Sequence, residues 1–218
     1  MKKPTRSARA SKFSLSEQEI REMINSADNI RDRLVIELLA FTGCRRKELV
    51  LIRVSNLDLE NDRIHIPTVK RRDDPESLLR PVPIIDFRLK QDLLTYLELW
   101  RAKYGLGKKH RLIQPQQVCS RDGISSVRVN QIVANVAEKT GIKSPNPNRK
   151  HVHPHMFRHS FIRFSRKFGL DFKVIQEIVG HASIATTFDM YGSPSWDEIK
   201  SEAKEKMANF TKPYGETV

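Results

Sequence analysis

The sequence predicts a mainly helical domain with a small antiparallel β-sheet, that is, an α+β fold. Most of the chain places apolar residues at helical spacing, as Leu34, Val35, Leu38 and Leu39 do. A shorter region alternates apolar and polar residues as strands do, and its prolines are typical of a sheet edge. At 218 residues the chain is long enough for one core with short tails.

The first helix is expected to open with a capping box, because Glu17 stands three residues after Ser14. The second ends at the Thr42-Gly43 turn. Helices before the last third of the chain are predicted at 14–26, 30–41, 46–53, 89–104 and 125–140.

Two strands are expected at 63–67 and 80–84, joined by a hairpin that carries Lys70 near its bend. A lysine there can reach into a groove or an active site. Its spacing alone favours an ordinary exposed lysine.

The last third of the chain begins with Pro154, which suits the first turn of a helix because its missing N–H leaves no bond unmade. His155 and Arg158 are three residues apart and therefore share one helix face. Phe157 and Phe161 supply the apolar side that buries the helix.

A further helix at 171–179 stops at Gly180, the residue type that most easily adopts the left-handed turn after a helix. His181 follows directly, and Tyr191 stands ten residues later at the end of a short polar helix. Successive elements thus deliver a histidine, an arginine, a second histidine and a tyrosine. A charged helix is expected at 196–209.

Three adjacent cations follow the turn after the second helix. Arg45 stands at the start of the next helix, where backbone N–H groups favour an anion. Glu48 is placed to hold its guanidinium or to cap the turn. Arg46 and Lys47 are expected on a solvated face, and Cys44 in the core.

The formal net charge of +13 and an isoelectric point of about 9.9 indicate a polyanionic partner. Nucleic acid is favoured over a membrane surface, because no apolar run approaches the length of a spanning helix. The basic, polar N-terminus lacks the apolar region of a signal peptide. Cys44 and Cys119 are interpreted as free thiols of a reducing compartment, so a cytoplasmic protein is expected.

Residues 1–12 contain no acid and are expected to form a flexible basic arm that can lie along DNA phosphates. The cations of this arm are Lys2, Lys3, Arg6, Arg9 and Lys12.

Three stretches of sequence share a family signature: TGCRRKEL from Thr42, HPHMFRHS from His153, and IQEIVGHASIATTFDMYG ending at Gly192. They resemble the tyrosine recombinase (phage integrase) family. That family shows a Thr-Gly-x-Arg-x-x-Glu-Leu box, then His-x-x-Arg, then Leu-Gly-His or a close variant, then Thr-Thr and the nucleophilic tyrosine. Multi-residue boxes in the right order are far more specific together than singly.

The resemblance implies a tyrosine recombinase catalytic-domain fold over 13–192, between the basic arm at 1–12 and a C-terminal helix and tail at 193–218. The catalytic residues that it implies are Arg45, Lys70, His155, Arg158, His181 and Tyr191, supported by Glu48 and His159. The further side chains expected to contact DNA, besides those of the arm, are Arg46, Lys47, Arg71 and Arg72.

The chemistry that the resemblance implies is strand exchange in double-stranded DNA. Tyr191 attacks the phosphorus and forms a 3′-phosphotyrosyl link, while two arginines stabilise the charge that grows on the equatorial oxygens. Lys70 protonates the leaving 5′-oxygen, His155 assists proton transfer and His181 hydrogen-bonds the phosphate. The link conserves the bond energy, so no ATP, metal or other cofactor is needed. A 5′-hydroxyl from a second duplex resolves it, in integration, excision, inversion or resolution.

The chain departs from the family pattern at two places. The hairpin between Lys70 and Pro81 is longer than usual and acidic, so Arg71 is the alternative to the lysine. Members of the family usually carry an N-terminal DNA-clamping domain, whereas this chain starts almost at the catalytic domain. It is either a piece of a longer protein or a form with the catalytic domain alone.

Other interpretations of the same residues are a metal site, an accessory protein and a topoisomerase. His155 and His159 have the spacing of metal ligands, but no cysteine or carboxylate nearby completes a set, and Arg158 would repel a cation. A DNA-binding accessory protein would not need a nucleophile at Tyr191. A type IB topoisomerase-like enzyme would use the same chemistry on one duplex.

Cleavage of two duplexes requires several protomers, so a homo-oligomer on DNA, a tetramer in the synaptic complex, is expected. The helix at 196–209 is the segment expected to dock on a neighbour, and the alternative is that it packs on its own domain.

Overall fold

The computed structural model describes residues 13–69, 78–116, 120, 122–180, 200, 203–205 and 207. Their helices are α1 (Glu17–Ser26), α2 (Ile30–Thr42), α3 (Arg46–Leu49), α4 (Phe87–Tyr104), α5 (Ser126–Lys139), α6 (Pro154–Lys167) and α7 (Phe172–Val179), with a 3-10 turn at Val54–Asn56. Their strands are β1 (Leu57–Asp58), β2 (Arg63–Pro67) and β3 (Leu79–Pro83). The predicted α+β class is therefore confirmed. None of these helices is long and apolar enough to cross a membrane.

Helix α2 is the centre of the fold. From Leu34 to Thr42 every residue is buried, and α1, α3, α4, α5 and α6 all pack against this helix. An all-round apolar sequence is what a helix enclosed by other helices requires. Asn29 caps its first turn by accepting a hydrogen bond from the Asp32 backbone N–H. The enclosed helix gives the residues that follow Thr42 a rigid base.

The three strands form one antiparallel sheet in the order β1-β2-β3, in which Ile64 pairs with Val82. Alternation along β2 and β3 turns Ile64, Ile66 and Val82 to the core, and α7 packs against β3. The predicted hairpin strands are confirmed. Strand β1 was missed because two residues give no periodic signal.

The N-terminal cap of α1 was predicted two residues too early. The capping residue is Ser16, whose hydroxyl accepts from the Glu19 backbone N–H while the Glu19 carboxylate accepts from the Ser16 backbone N–H at 2.7 Å. Leu15 is fully buried and its N–H donates to Ser160 Oγ on α6. The tertiary contact therefore keeps the preceding residues extended, although the Ser14 and Glu17 spacing fits a capping box.

Helix α3 is a single turn, shorter than the predicted 46–53. The chain leaves the helix because its backbone pairs with the segment around residue 111. The Leu112 backbone N–H donates to the Ile52 carbonyl at 2.7 Å, and the Arg111 side chain adds a bond from Nη1 to the Leu51 carbonyl at 2.6 Å. These long-range bonds replace the next helical turn.

The described part of the C-terminal tail is helical and contacts the same chain. Lys200 and Lys204 form ion pairs with Asp62, and Ala203 and Met207 are fully buried. These contacts favour packing on its own domain over the predicted docking of this helix on a neighbour. The rest of the helix predicted at 196–209 lies outside the described residues.

Between α2 and α4 lies a buried carboxyl group that has no role in the site described below. Glu37 is fully buried, and neither of its carboxyl oxygens has a hydrogen-bond partner among the described residues. The nearest cation is Arg88, with Nε 3.5 Å from Oε1. Burial, together with the negative charge of Asp92, raises the pKa of Glu37 to about 9, so the group is a neutral acid at pH 7.

We predict that Glu37 makes the free energy of unfolding fall as pH rises. The folded chain keeps this proton up to about pH 9, while the unfolded chain releases it near its ordinary pKa of 4.5. Between these values the folded state binds more protons, so stability declines, by on the order of 3 kcal/mol at pH 7. The measurement is urea unfolding at several pH values for the native chain and for Glu37→Gln, whose slope should be flatter.

The control is Glu138→Gln, which changes an exposed glutamate on α5 and should keep the native slope. An unchanged slope in Glu37→Gln would contradict the assignment.

Candidate active site

The site is built on the start of helix α6. Pro154 occupies its first turn after the cap residue His153, as the sequence predicts. Phe157 and Phe161 are buried on the apolar side, where α6 packs against α2. This packing carries Arg158 into the interior, where it is only 2% exposed.

Arg158 is tied to the end of α2. Its Nη1 donates to the Gly43 carbonyl at 2.8 Å. Gly43 has φ +59°, and a Cβ there would lie 2.7 Å from a ring carbon of Phe161. Both the left-handed conformation and the close approach of α6 therefore require glycine at this position.

The second terminal nitrogen of the Arg158 guanidinium, Nη2, has unused hydrogen-bond donors within the described part of the chain. It is buried without a hydrogen-bond partner among the described residues. Burial, and then the neighbouring charge of Arg45, lowers the pKa of Arg158 to about 9, so the group is still a cation at pH 7. A buried cation with an unused donor is costly unless an anion joins it. The geometry therefore favours binding of a negatively charged group.

Arg45 provides a second guanidinium at the same place. It is the cap residue of α3, and its Nη1 donates to Glu48 Oε1 at 2.7 Å and to the Gly180 carbonyl at 3.2 Å. Its backbone N–H donates to Glu48 Oε2 at 2.8 Å. Glu48 thus both holds the guanidinium and caps the turn. The Arg45 side chain remains one-third exposed, so it is oriented and still accessible.

Arg80 on β3 is a buried partner of Glu48 that the sequence analysis missed. Its Nη2 donates to Glu48 Oε2 at 2.8 Å. Burial would raise the pKa of the fully buried Glu48, but the charge and hydrogen bond of Arg80, together with Arg45, keep it below its ordinary value. The sequence does contain a signal that could have identified Arg80. It stands two residues before Val82 on β3, so both side chains face the core.

Two histidines of α6 lie beside the arginines. His155 is exposed, and its ring meets that of His159 edge to face, with centroids 4.5 Å apart. Partial burial of one side of the ring, and then the charges of His159 and Arg158, lower the pKa of His155. The imidazole is therefore neutral at pH 7 and can accept a proton. Burial, and then Arg158, lowers the pKa of His159 in the same way.

A basic groove of about 750 Å³ runs past these side chains. Its described lining includes five arginine and lysine side chains and three histidines, and none of these lining residues is a carboxylate. They are Arg45, Arg46, Lys47, Arg149, Lys150, His151, His153 and His155. Asn130 and Gln131 of α5 line the groove too.

The groove residues that the sequence analysis did not single out are Asn130, Gln131, Arg149 and Lys150. The first two stand on the outward side of an amphipathic helix, and the others in a loop. No distinctive spacing in the sequence marks these residues as groove residues, which is why the sequence analysis missed them. Arg46 and Lys47, predicted to contact DNA, do line this groove.

Several predicted site residues lie outside the described residues. They are Lys70, Arg71, Arg72, His181 and Tyr191, with the arm residues Lys2, Lys3, Arg6, Arg9 and Lys12. Two described residues directly before them are at the site: Val69 lines the groove, and the Gly180 carbonyl accepts from Arg45. The structure therefore brings together Arg45, Arg158 and His155 with Glu48 and His159.

The arrangement of the two arginines suits anion binding. No group of three or more histidine, cysteine, aspartate or glutamate side chains in the described part of the chain could hold a metal ion. The two arginines instead supply forked donors, which match the oxygens of a phosphate.

Comparison with known proteins agrees with this geometry. The profile of the phage integrase family matches residues 14–195. The tyrosine recombinase XerA of Pyrococcus furiosus is 30% identical over 176 residues, which cover 80% of this chain and 55% of that protein. This chain therefore spans about half the length of the curated relatives it matches.

Solved structures share the fold. The crystal structure of XerA recombinase aligns with a TM-score of 0.64 at 24% identity, over 93% of this chain and 66% of that one. XerH site-specific recombinase bound to difH substrate in a pre-cleavage complex aligns with a TM-score of 0.58 at 23% identity, over 78% and 47%.

One thiol beside the arginines is not a candidate nucleophile. Cys44 is a free cysteine, 1% exposed, as the sequence predicts for a core residue. Burial raises its pKa to about 11, so almost no thiolate exists at neutral pH.

We predict that the Cys44 thiol in a Cys119→Ser variant does not react with a disulfide reagent in the folded protein. Only about one thiol in a thousand is ionised at pH 8 when the pKa is about 11. Absorbance of the released thiolate should show no reaction over an hour in buffer and one full equivalent in denaturant. Cys44→Ser added to the Cys119→Ser variant serves as the blank, and rapid labelling of folded Cys119→Ser would show that Cys44 is accessible.

Proposed function

Because the chain belongs to the phage integrase family of tyrosine recombinases, we propose that it is a site-specific DNA recombinase. It cuts and rejoins DNA strands through a covalent 3′-phosphotyrosine intermediate. The observation that carries the proposal is a pair of neighbouring guanidinium groups: Arg45, which lines the basic groove, and Arg158, which is buried next to it. Arg158 holds a buried donor without a partner there.

The groove supports double-stranded DNA as the substrate. Its five arginine and lysine side chains face no carboxylate among the described lining residues. Such a surface attracts a phosphate backbone and releases its counterions. The structural neighbour XerH is described in complex with difH substrate. Together with the net charge of +13, these findings favour DNA over other anions.

In the proposed mechanism Arg45 and Arg158 bind the non-bridging oxygens of one phosphodiester. Charge grows on those oxygens when the phosphorus becomes five-coordinate, so donors fixed beforehand stabilise the transition state more than the ground state. Glu48 keeps Arg45 in place, and the Gly43 carbonyl does the same for Arg158.

The covalent step uses residues whose roles are proposals from the family motif. Tyr191 Oη forms a bond to phosphorus as the bond from phosphorus to the 5′-oxygen breaks. Neutral His155 accepts the phenol proton, and Lys70 gives a proton to the leaving 5′-oxygen, so charge and atoms balance. His181 hydrogen-bonds the phosphate. Attack by the 5′-hydroxyl of a second duplex reverses the chemistry and exchanges strands.

The proposed organisation is a basic arm at 1–12 and a catalytic domain at 13–192, followed by a C-terminal helix and tail at 193–218. The arm, with Arg71 and Arg72 of the hairpin, adds phosphate contacts. Exchange between two duplexes needs several active sites, so the working form on DNA is a homo-oligomer, with four protomers in the synaptic complex.

We predict that the wild-type chain forms a covalent complex with a nicked duplex from its own flanking DNA, and that Tyr191→Phe does not. The nick lets the short fragment that bears the released 5′-hydroxyl diffuse away, so the link cannot be reversed. A denaturing gel should show a slower, protease-sensitive band only with the tyrosine. Tyr214→Phe, a tyrosine outside the family motif, is the matched control and should keep the band.

Absence of the band with tight, salt-sensitive DNA binding would contradict the recombinase proposal and favour an accessory protein. Relaxation of supercoiled plasmid without exchange between sites would instead favour a topoisomerase.

We predict that groove cations set the salt dependence of DNA binding. The double change Arg149→Gln and Lys150→Gln removes two groove contacts and should lower the slope of log K against log salt by about 2. Fluorescence anisotropy over a salt series measures the slope. The control is Arg101→Gln with Lys103→Gln, which removes the same charge from exposed positions of α4 outside the groove. If the two double variants showed the same slope of log K against log salt, a specific role for the groove would be contradicted.

A further inference from the structure

We propose that Arg80 is a positioning residue whose one buried guanidinium holds together Glu48 and the two segments of chain that precede the proposed catalytic residues Lys70 and His181. The inference rests on the proposed function, because it concerns the groups that carry out strand cleavage. Arg80 stands outside the three sequence boxes named above. Its contacts are what single it out.

Each donor of Arg80 binds a different segment. Nη2 donates to Glu48 Oε2 at 2.8 Å, Nε donates to the Ile178 carbonyl at 2.9 Å, and Nη1 reaches Thr68 Oγ1 at 3.3 Å. The residue is 8% exposed, so water competes little for these donors. A lysine supplies one compact charge and cannot span three separate acceptors in this way.

The three partners stand directly before or beside proposed catalytic residues. Glu48 holds the guanidinium and the backbone N–H of Arg45. Thr68 comes two residues before Lys70, and Ile178 three residues before His181. A shift of Arg80 therefore displaces Glu48, Thr68 and Ile178 together.

These bonds close into a loop. Arg80 binds the Ile178 carbonyl and one carboxylate oxygen of Glu48. The Arg45 guanidinium binds the other oxygen of Glu48 and, at 3.2 Å, the Gly180 carbonyl. The chain comes so close that a Cβ on Gly180 would lie 3.0 Å from Arg80 Cδ and Nε. Gly180 also has φ +64°, so the position suits glycine for two reasons.

Charge balance gives Arg80 an electrostatic role too. Glu48 is fully buried and carries one negative charge, which alone would cancel the positive charge of Arg45. With Arg80 present, the group of three keeps a net charge of one positive unit beside Arg158. Arg45 can then attract a phosphate, because Arg80 offsets the negative charge of Glu48 that would otherwise neutralise Arg45.

The first test separates alignment from simple loss of stability. Arg80→Met should slow single-turnover cleavage of the nicked duplex by about 100-fold, the effect of a misplacement of about 1 Å at an active site. The DNA dissociation constant should rise by no more than about threefold, because Arg80 does not line the groove and only the attraction of Arg45 for one phosphate is weakened, while the other groove cations remain. Arg80→Lys should recover part of the rate, since it keeps the charge.

The matched control is Arg31→Met, which removes another buried arginine that pairs with a carboxylate, Asp32, away from the site. It should keep the cleavage rate despite any loss of stability. Equal slowing in Arg31→Met and Arg80→Met, or a native rate in Arg80→Met, would overturn the proposal.

The second test does not depend on cleavage. Backbone hydrogen exchange in Arg80→Met should speed up in all three segments that Arg80 joins, 45–49, 64–69 and 174–180, and remain native there in Arg31→Met. Native exchange in any of these segments would overturn the alignment role. If the wild-type chain forms no covalent complex with DNA, the proposed function is wrong. The hydrogen-exchange data would still test, independently of cleavage, whether Arg80 holds the three segments together.

Discussion

The site depends on a buried carboxylate shared between two arginines. Glu48 has no exposure to water, so its charge must be compensated within the fold. Arg45 does so from the groove and Arg80 from the sheet. Glu48 thereby joins Arg45 at the start of α3 to Arg80 on strand β3, and the two arginines bind carbonyls at the end of α7. The same bonds leave Arg45 one-third exposed, oriented but accessible.

The helical core explains why this arrangement can be rigid. Helix α2 is enclosed on all sides, and α6 packs against it so closely that Gly43 has no room for a side chain. The Gly43 carbonyl then fixes Arg158. Both arginines are therefore held by groups of the fold itself. Donors fixed in advance are what stabilisation of a transition state requires.

The sequence predicted the fold class, the hairpin and the motif positions because those features have local signals. Arg45, Glu48 and Arg158 stand in short boxes, and the structure brings them together. Arg80 escaped notice because its role comes from residues 32 and 98 positions away in the chain. The cap of α1 was misplaced for a similar reason, since Leu15 bonds to Ser160 across the core. The role of Arg80 and the start of α1 thus depend on contacts between residues far apart in the chain, which local sequence patterns do not show.

The most direct measurement is a crystal structure of Tyr191→Phe bound to a duplex from the chain's own flanking DNA. If the two arginines form the phosphate site, Arg158 Nη2 and the Arg45 guanidinium will each lie about 3 Å from non-bridging oxygens of the same phosphate. The phosphate will then lie within reach of the side chain at 191. A duplex held only by outer groove residues such as Lys47 and Arg149, with Nη2 still unbonded, would contradict this assignment.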